Sequence, residues 1–305
     1  MRVGKSPLEA SVLAYGCWRI AGAATPGALT ADQWNAGKAA VLAAYEAGYT
    51  LFDHADIYAQ GAAEIIFGRA LREAPEMRDR VLIATKCGIR FSGDPTPEAP
   101  YRYDFSAEHI LRSCEGSLKR LGVGTIDLYI LHRPDFLCRP EEVAAAFEKL
   151  RGEGKARAFG VSNFTPSQVS LLQQACPFPL AVNQIECSLL HLDPLLDGTL
   201  DQCLQERITP QAWSPLGGGR LLAGKGASSD VERVRGALEE LARQRGVSPA
   251  ALALAWLLRH PAGIMPIVGS TKPERIRECA KAAEIELSRE EWYRLLEAAY
   301  GKRLP

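Results

Sequence analysis

The chain has 305 residues, 47% of them hydrophobic, and its 36 basic and 36 acidic side chains cancel to a formal net charge of zero. That is enough apolar material for one large core, and it leaves no basic field for nucleic acid or an anionic membrane surface. Eight cysteines are scattered without a C-x-x-C pair, which predicts reduced, buried thiols and argues against a disulfide frame or a cysteine zinc site.

In chain order, the opening "MRVGKSPLEASVLAYG" lacks the uninterrupted apolar core of a signal peptide. No run of about 18 apolar residues follows it anywhere, so a cytoplasmic chain with no membrane partner is expected. Val12–Gly16 is the weakest strand pattern. Thr50–Asp53, Val81–Lys86, Ile126–His132, Ala156–Ser162, Leu180–Gln184, Thr209–Ser214 and Ile264–Gly269 read as seven further strands. They are nearly continuous in Val, Ile, Leu and Ala, the pattern of parallel strands covered on both faces. Helical stretches lie between them. "PEEVAAAFEKLRGEG" places Val143, Ala146, Phe147 and Leu150 on one face. Thr165 and Thr271 each look like the start of a capping box with proline in the first turn, Ser248-Pro249 opens another helix, and Ser288 with Glu291 opens the last. No G-x-G-x-x-G follows a strand and opens a helix, and "LGVG" at 121–124 precedes a strand. The alternation therefore predicts an α/β chain folded as a single (β/α)8 TIM barrel over 1–305, rather than a doubly wound open sheet.

The strands finish on polar groups: Asp53, Lys86, His132, Ser162-Asn163, Gln184, Trp213-Ser214 and Gly269-Ser270. In a barrel these ends share the C-terminal rim, where active sites of this fold lie. Tyr58 follows Asp53 by five residues. An isolated phenol has a pKa near ~10 and is a poor acid at neutral pH. The expectation is that Lys86, held by Asp53, lowers it at a cost of about 3–4 kcal/mol of differential stabilisation. Such a phenol gives a proton to a carbonyl oxygen while hydride reaches the carbon, and His132 orients the carbonyl. His54 and Asp56 invite a metal reading, but the chain has only five histidines, so no metal is expected and Asp56 reads as structural. Cys87 is expected to face away from Lys86.

Together, "FDHADIY" (52–58), "IATKCG" (83–88), "LYILHRPD" (128–135), "GVSNF" (160–164), "NQIE" (183–186), "WSPLGGG" (213–219) and "IVGSTKPERIRE" (267–278) resemble the aldo-keto reductase superfamily, and its bacterial oxidoreductase branch most. The resemblance implies a barrel that binds NADPH or NADP+ across the rim and reduces a small-molecule carbonyl. It implies Asp53, Tyr58, Lys86 and His132 as the catalytic set, and Ser162, Asn163 and Gln184 as the residues that hold the nicotinamide carboxamide. Trp213 stands where an aromatic stacks on the nicotinamide. Ser214, Pro215, Leu216 and Gly217, with Arg220 as a clamp, form a loop whose N–H groups suit a pyrophosphate. Gly269, Ser270, Thr271, Lys272 and Arg275 surround a helix N-terminus suited to a ribose 2′-phosphate, which favours NADPH over NADH. Glu278 matches an adenine contact, and Cys279 replaces a usual asparagine. Gly16, Cys17 and Trp18 match a strand end near cofactor and substrate. The segment 89–104 is expected to cross the rim, carrying Tyr101 or Tyr103. A monomer or weak oligomer is expected. The alternative reading is an NADPH-binding regulatory or sensor barrel with little turnover.

Overall fold

Parallel strands cannot be joined by tight turns and need long crossovers, which here are helices. The computed structural model describes residues 1–22, 25–223 and 228–304. Its strands are β1 (Ala14–Gly16), β2 (Leu51–Asp53), β3 (Leu82–Cys87), β4 (Ile89–Arg90), β5 (Arg102–Tyr103), β6 (Ile126–Leu131), β7 (Ala156–Ser162), β8 (Val182–Glu186), β9 (Thr209–Trp213) and β10 (Met265–Val268). Strands β4 and β5 form a small antiparallel hairpin, and the other eight close a barrel in which β1 pairs with both β2 and β10. The helices are α1 (Ala31–Glu46), α2 (Ala62–Glu73), α3 (Ala107–Leu121), α4 (Pro140–Gly152), α5 (Pro166–Ala175), α6 (Thr199–Glu206), α7 (Ser229–Arg245), α8 (Pro249–Leu258), α9 (Pro273–Ala280) and α10 (Arg289–Tyr300). Among the described residues no helix is long and apolar enough to cross a membrane.

Side-chain alternation along the first strands divides the barrel wall between two of the three buried clusters. Ala14, Leu51, Ala84, Leu128 and Ile130 pack with Val3 and Leu8 in one buried cluster, while their neighbours Tyr15, Phe52, Ile83 and Tyr129 join the cluster that packs against the helices. This is the period-two division of a barrel wall. Register sets the rim: Gly16 pairs with Asp53, Asp53 with Ala84, Lys86 with Ile130, Ser162 with Gln184 and Glu186 with Trp213.

All eight expected strands form, with ends moved by at most two residues. Thr165 and Ser288 close full capping boxes, and Ser248 caps α8. Thr271 does not cap. The cap of α9 is Lys272, which offers no side-chain bond, and the nearby hydroxyl at work is that of Ser270, whose Oγ accepts from the Lys272 N–H at 3.2 Å. Proline occupies the first helical position. It follows Thr165 directly but comes two residues after Thr271, which puts Thr271 one place too early.

Candidate active site

Lys86 comes from a strand interior and is fully buried. Its ammonium has three protons and donates all of them: to Asp53 Oδ2 at 2.8 Å, to the main-chain oxygen of His54 at 2.7 Å and to Tyr58 Oη at 3.0 Å. Burial alone pulls the Lys86 pKa down, but Asp53 and Tyr58 outweigh it and hold it above the usual lysine value. The buried amine is therefore a cation.

Tyr58 corrects one expectation. Burial is the largest influence on its phenol and pushes the pKa up; Lys86 opposes this without overcoming it, and Asp53 adds to the rise. The closure that brings the ammonium to 3.0 Å also withdraws the phenolate from water. At neutral pH Tyr58 is thus a protonated phenol. Its oxygen accepts from Lys86, which leaves its own proton for another acceptor.

His132 packs edge-on against Tyr58, with ring centroids 5.8 Å apart. Burial, then Lys86 and Arg133, push its pKa well below the usual value, so the ring is neutral. Its Nδ1 is buried without a partner.

A polar chain runs outward from Asp53. Asp53 Oδ1 accepts from Gln184 Nε2 at 2.9 Å, and the same amide donates to Gln211 Oε1 at 3.1 Å. Ser162 Oγ donates to the Gln184 main-chain oxygen at 2.9 Å and accepts from Asn163 Nδ2 at 2.7 Å. Asn163 Oδ1 accepts from Trp213 Nε1 at 2.9 Å, and the Arg133 guanidinium lies 5.4 Å from the Trp213 ring centroid. Asp53, Tyr58, Lys86, His132, Ser162, Asn163, Gln184 and Trp213 thus lie in one connected group. Gln211 escaped sequence reading, because a single glutamine inside "TPQAW" carries no rim signal; its burial inside a strand was the only clue.

The other expected contacts lie at the ends of β1, β9 and β10 and in the segments that follow them. Cys17 is fully buried in the core, whereas Trp18 is 58% exposed beside it. Pro215 and Leu216 lead into a turn, Gly217–Leu222, in which Gly217, Gly218 and Gly219 hold φ of 59°, 68° and 96°. A side chain on Gly217 would strike Leu190 at 2.6 Å, while nothing lies within 4 Å of a Cβ on Gly218 or Gly219, so the tip of the turn presents bare main chain. Arg220 is exposed and donates from Nε to the Gly217 oxygen at 2.9 Å. Across the mouth, Tyr15 Oη donates to the Ser270 main-chain oxygen at 2.9 Å. Thr271, Lys272 and Arg275 are exposed, Glu278 is half-buried and Cys279 is buried. Gly269 adjoins Gly16, with 4.0 Å from an added Cβ to the Gly16 oxygen.

The segment 89–104 doubles back as the β4–β5 hairpin, and the Asp104 N–H donates to the Gly88 oxygen at 2.9 Å, just beyond Lys86. Arg90 pins it to Asp94 and Asp104, each at 2.8 Å. Tyr101, half exposed, packs edge-on against Tyr103. Cys87 is fully buried in the layer between barrel and helices.

His54 is fully buried against Phe67, with a centroid separation of 4.7 Å and neither ring nitrogen partnered. Burial, with Lys86 second, pushes its pKa down to about 3. Asp56 is pushed up to about 7, by burial first and by Glu64 next. Among the described residues no group of three or more His, Cys, Asp and Glu side chains could hold a metal ion.

A model described as the aldo/keto reductase family matches residues 12–299. The chain belongs to that family. A relative in Bacillus subtilis, named as an uncharacterized oxidoreductase, is 41% identical over 308 residues, covering 98% of this chain and 97% of its own length. A 6-dehydroglucose reductase of Agrobacterium fabrum is 41% identical over 302 residues, covering 97% of each chain. Among solved structures, an aldo/keto reductase from Klebsiella pneumoniae in complex with NADP and acetate superimposes with a TM-score of 0.76 at 30% identity, over 96% of this chain and 93% of that one. A thermostable aldo-keto reductase bound to the inhibitor epalrestat gives a TM-score of 0.83 at 28% identity, over 98% of each chain.

Proposed function

We propose that this aldo-keto reductase is an NADPH-dependent reductase of aldehydes or ketones, with Tyr58 as the proton donor. The observation that carries the reading is the ammonium of Lys86. It spends its last proton on Tyr58 Oη at 3.0 Å, so the phenol can be a donor only toward something other than Lys86.

The residues fit a pyridine dinucleotide. Ser162, Asn163 and Gln184 cluster beside Asp53, three glycines in left-handed conformation bare their main chain, and the exposed Lys272 and Arg275 flank the start of α9. When bound, the dinucleotide supplies the hydride. Burial keeps Tyr58 protonated until it is needed. The phenol gives its proton to the substrate oxygen, and Lys86 then meets the resulting phenolate charge without moving. Asp53, fixed by Gln184, keeps the ammonium in place, and neutral His132 orients the carbonyl by a hydrogen bond.

Two relatives at 41% identity are named 6-dehydroglucose reductases, so a sugar aldehyde heads the substrate panel. The test is NADPH consumption over a panel of sugar and simple aldehydes and ketones, with wild type beside Tyr58→Phe. The variant is expected to lose about 100-fold or more of kcat with its fold intact. Equal rates would remove Tyr58 from its role.

A further inference from the structure

The three residues after Tyr58 share an uncommon backbone. Ala59, Gln60 and Gly61 hold φ of 49°, 54° and 91°, a left-handed run immediately behind the phenol. Ala and Gln rarely adopt this conformation, and it persists only where surrounding structure enforces it. Arg120 packs against the end of this run. The stem of Arg120, from α3, fills the space where Gly61 would carry a side chain: a Cβ there would lie 2.5 Å from Arg120 Cδ and 2.7 Å from Nε. The other flank of the guanidinium is also a glycine, since a Cβ on Gly116 would sit 3.0 Å from Nη1.

Arg120 is itself fixed from two sides. Its Nε donates to Glu64 Oε2 at 2.6 Å and its Nη2 to Ser117 Oγ at 3.2 Å. Glu64 is fully buried, and its second oxygen accepts from Thr85 Oγ1 at 2.6 Å. Thr85 directly precedes Lys86 on β3, with its side chain toward the helices. A single carboxylate therefore joins the strand that carries the ammonium to the arginine that packs against the turn behind the phenol.

We propose that Arg120 is a positioning residue for Tyr58: wedged beneath Gly61 and clamped by Glu64, it holds the left-handed turn so that the phenol stays in contact with Lys86. This rests on the reading of Tyr58 as the proton donor. None of the three residues Glu64, Thr85 and Arg120 touches the phenol or the ammonium; they act through the backbone on either side.

The test uses Arg120→Lys, which keeps a cation for Glu64 but loses the planar guanidinium beside Gly61, and Glu64→Gln, which loosens the clamp on Arg120 without touching the left-handed turn. Each is expected to lower kcat about 10- to 100-fold, the scale of a misplaced reacting group. NADPH affinity, measured by fluorescence titration, should stay within twofold of wild type. The ionisation of Tyr58, isolated by subtracting the ultraviolet titration of Tyr58→Phe, should leave its wild-type position, because both the contact with the ammonium and the burial of the phenol change. A residue that served only the fold would lower the melting temperature and leave that ionisation in place. If Arg120→Lys does not fold, Glu64→Gln carries the test alone. A folded variant with wild-type kcat and an unmoved Tyr58 ionisation overturns the proposal. Full turnover by Tyr58→Phe would instead sink the catalytic reading, and the ionisation would still decide whether Arg120 positions the ring.

Discussion

Gln184 Nε2 stands 2.9 Å from Asp53 Oδ1, so the amide read as a cofactor contact is also bonded to the carboxylate that holds Lys86. Both Gln184 amide protons are committed, to Asp53 and to Gln211. Removing the side chain should therefore affect two functions together. Gln184→Ala is expected to weaken NADPH binding and also to lower kcat by about 10-fold, since Asp53 loses a charge-assisted hydrogen bond worth roughly 1.5–3 kcal/mol. Gln184→Glu should be worse, because two carboxylates then share one site and one of them is driven to protonate. Its kcat should rise as pH falls toward 5. Steady-state kinetics with parallel cofactor titrations distinguish this from a pure binding defect, in which KM alone would change.

The Asp53–Lys86 pair predicts strongly non-additive stability. Both side chains are almost completely buried and meet at 2.8 Å. Lys86→Met leaves a buried carboxylate without its cation, a loss of about 3–5 kcal/mol. Adding Asp53→Asn removes the orphaned charge, and the double variant should recover much of that loss while staying inactive. Thermal or denaturant melts of the two single variants and the double variant measure the coupling. If the losses simply add, the pair is not a mutual charge compensation.

The rim was legible because its polar side chains stand at or within two residues of barrel strand ends, and strand ends can be read from apolar runs. Asp53, Lys86, His132 and Ser162 were visible on that basis. What stayed hidden depends on partners far apart in sequence or on backbone shape. Glu64 and Arg120 are 56 positions apart, and nothing local marks them as a pair. Ala59 and Gln60 carry no glycine signal, so their left-handed turn is imposed from outside and leaves no trace in the sequence. The expected acidity of Tyr58 had the right partner and the wrong balance: Lys86 lies where it was expected, but desolvation, which a sequence cannot weigh, has the larger effect.

His54 and Asp56 should pull stability in opposite directions as pH changes. The folded His54 pKa is about 3, against a usual value of 6.5. Between those values the unfolded chain binds a proton that the folded chain refuses. The contribution is fully present above pH 6.5 and is lost toward pH 3, with a slope of about 1.4 kcal/mol per pH unit. His132, also pushed down by burial, has the same sign. Asp56 has the reverse sign, because its folded pKa is raised from 3.8 to about 7. Its contribution is present below pH 3.8 and is lost as pH rises through 7. The groups facing it are Glu64 and Arg120 on the flanking helices and Cys87 on β3. His54→Leu, which breaks no hydrogen bond to its ring, should flatten the acid limb of a urea-melt series taken from pH 4 to 8. Asp56→Asn should steepen that limb by removing the opposing slope. Identical slopes in all three proteins would contradict the burial that both shifts rest on.

Cofactor choice makes the last prediction. Lys272 and Arg275 are exposed on either side of the proline that opens α9, with Ser270 Oγ bonded into the same turn at 3.2 Å. Two cations at a helix start match a phosphate monoester and have no counterpart on an unphosphorylated ribose. Arg275→Ala should remove a charged hydrogen bond worth about 1.5–3 kcal/mol, which is roughly 10- to 100-fold in the NADPH dissociation constant. The NADH dissociation constant should stay within about twofold, because the arginine would meet nothing that NADH carries. Lys272→Ala should act in the same direction but less, since its compact ammonium lacks the fork that grips two phosphate oxygens. Raising ionic strength should narrow the NADPH preference in wild type, and should do so less in Arg275→Ala, where Lys272 alone remains, because an exposed ion pair is screened by salt. Equal loss of both cofactors in Arg275→Ala would mean that this arginine holds the adenosine or the fold of α9, and the preference would have to come from elsewhere on the rim.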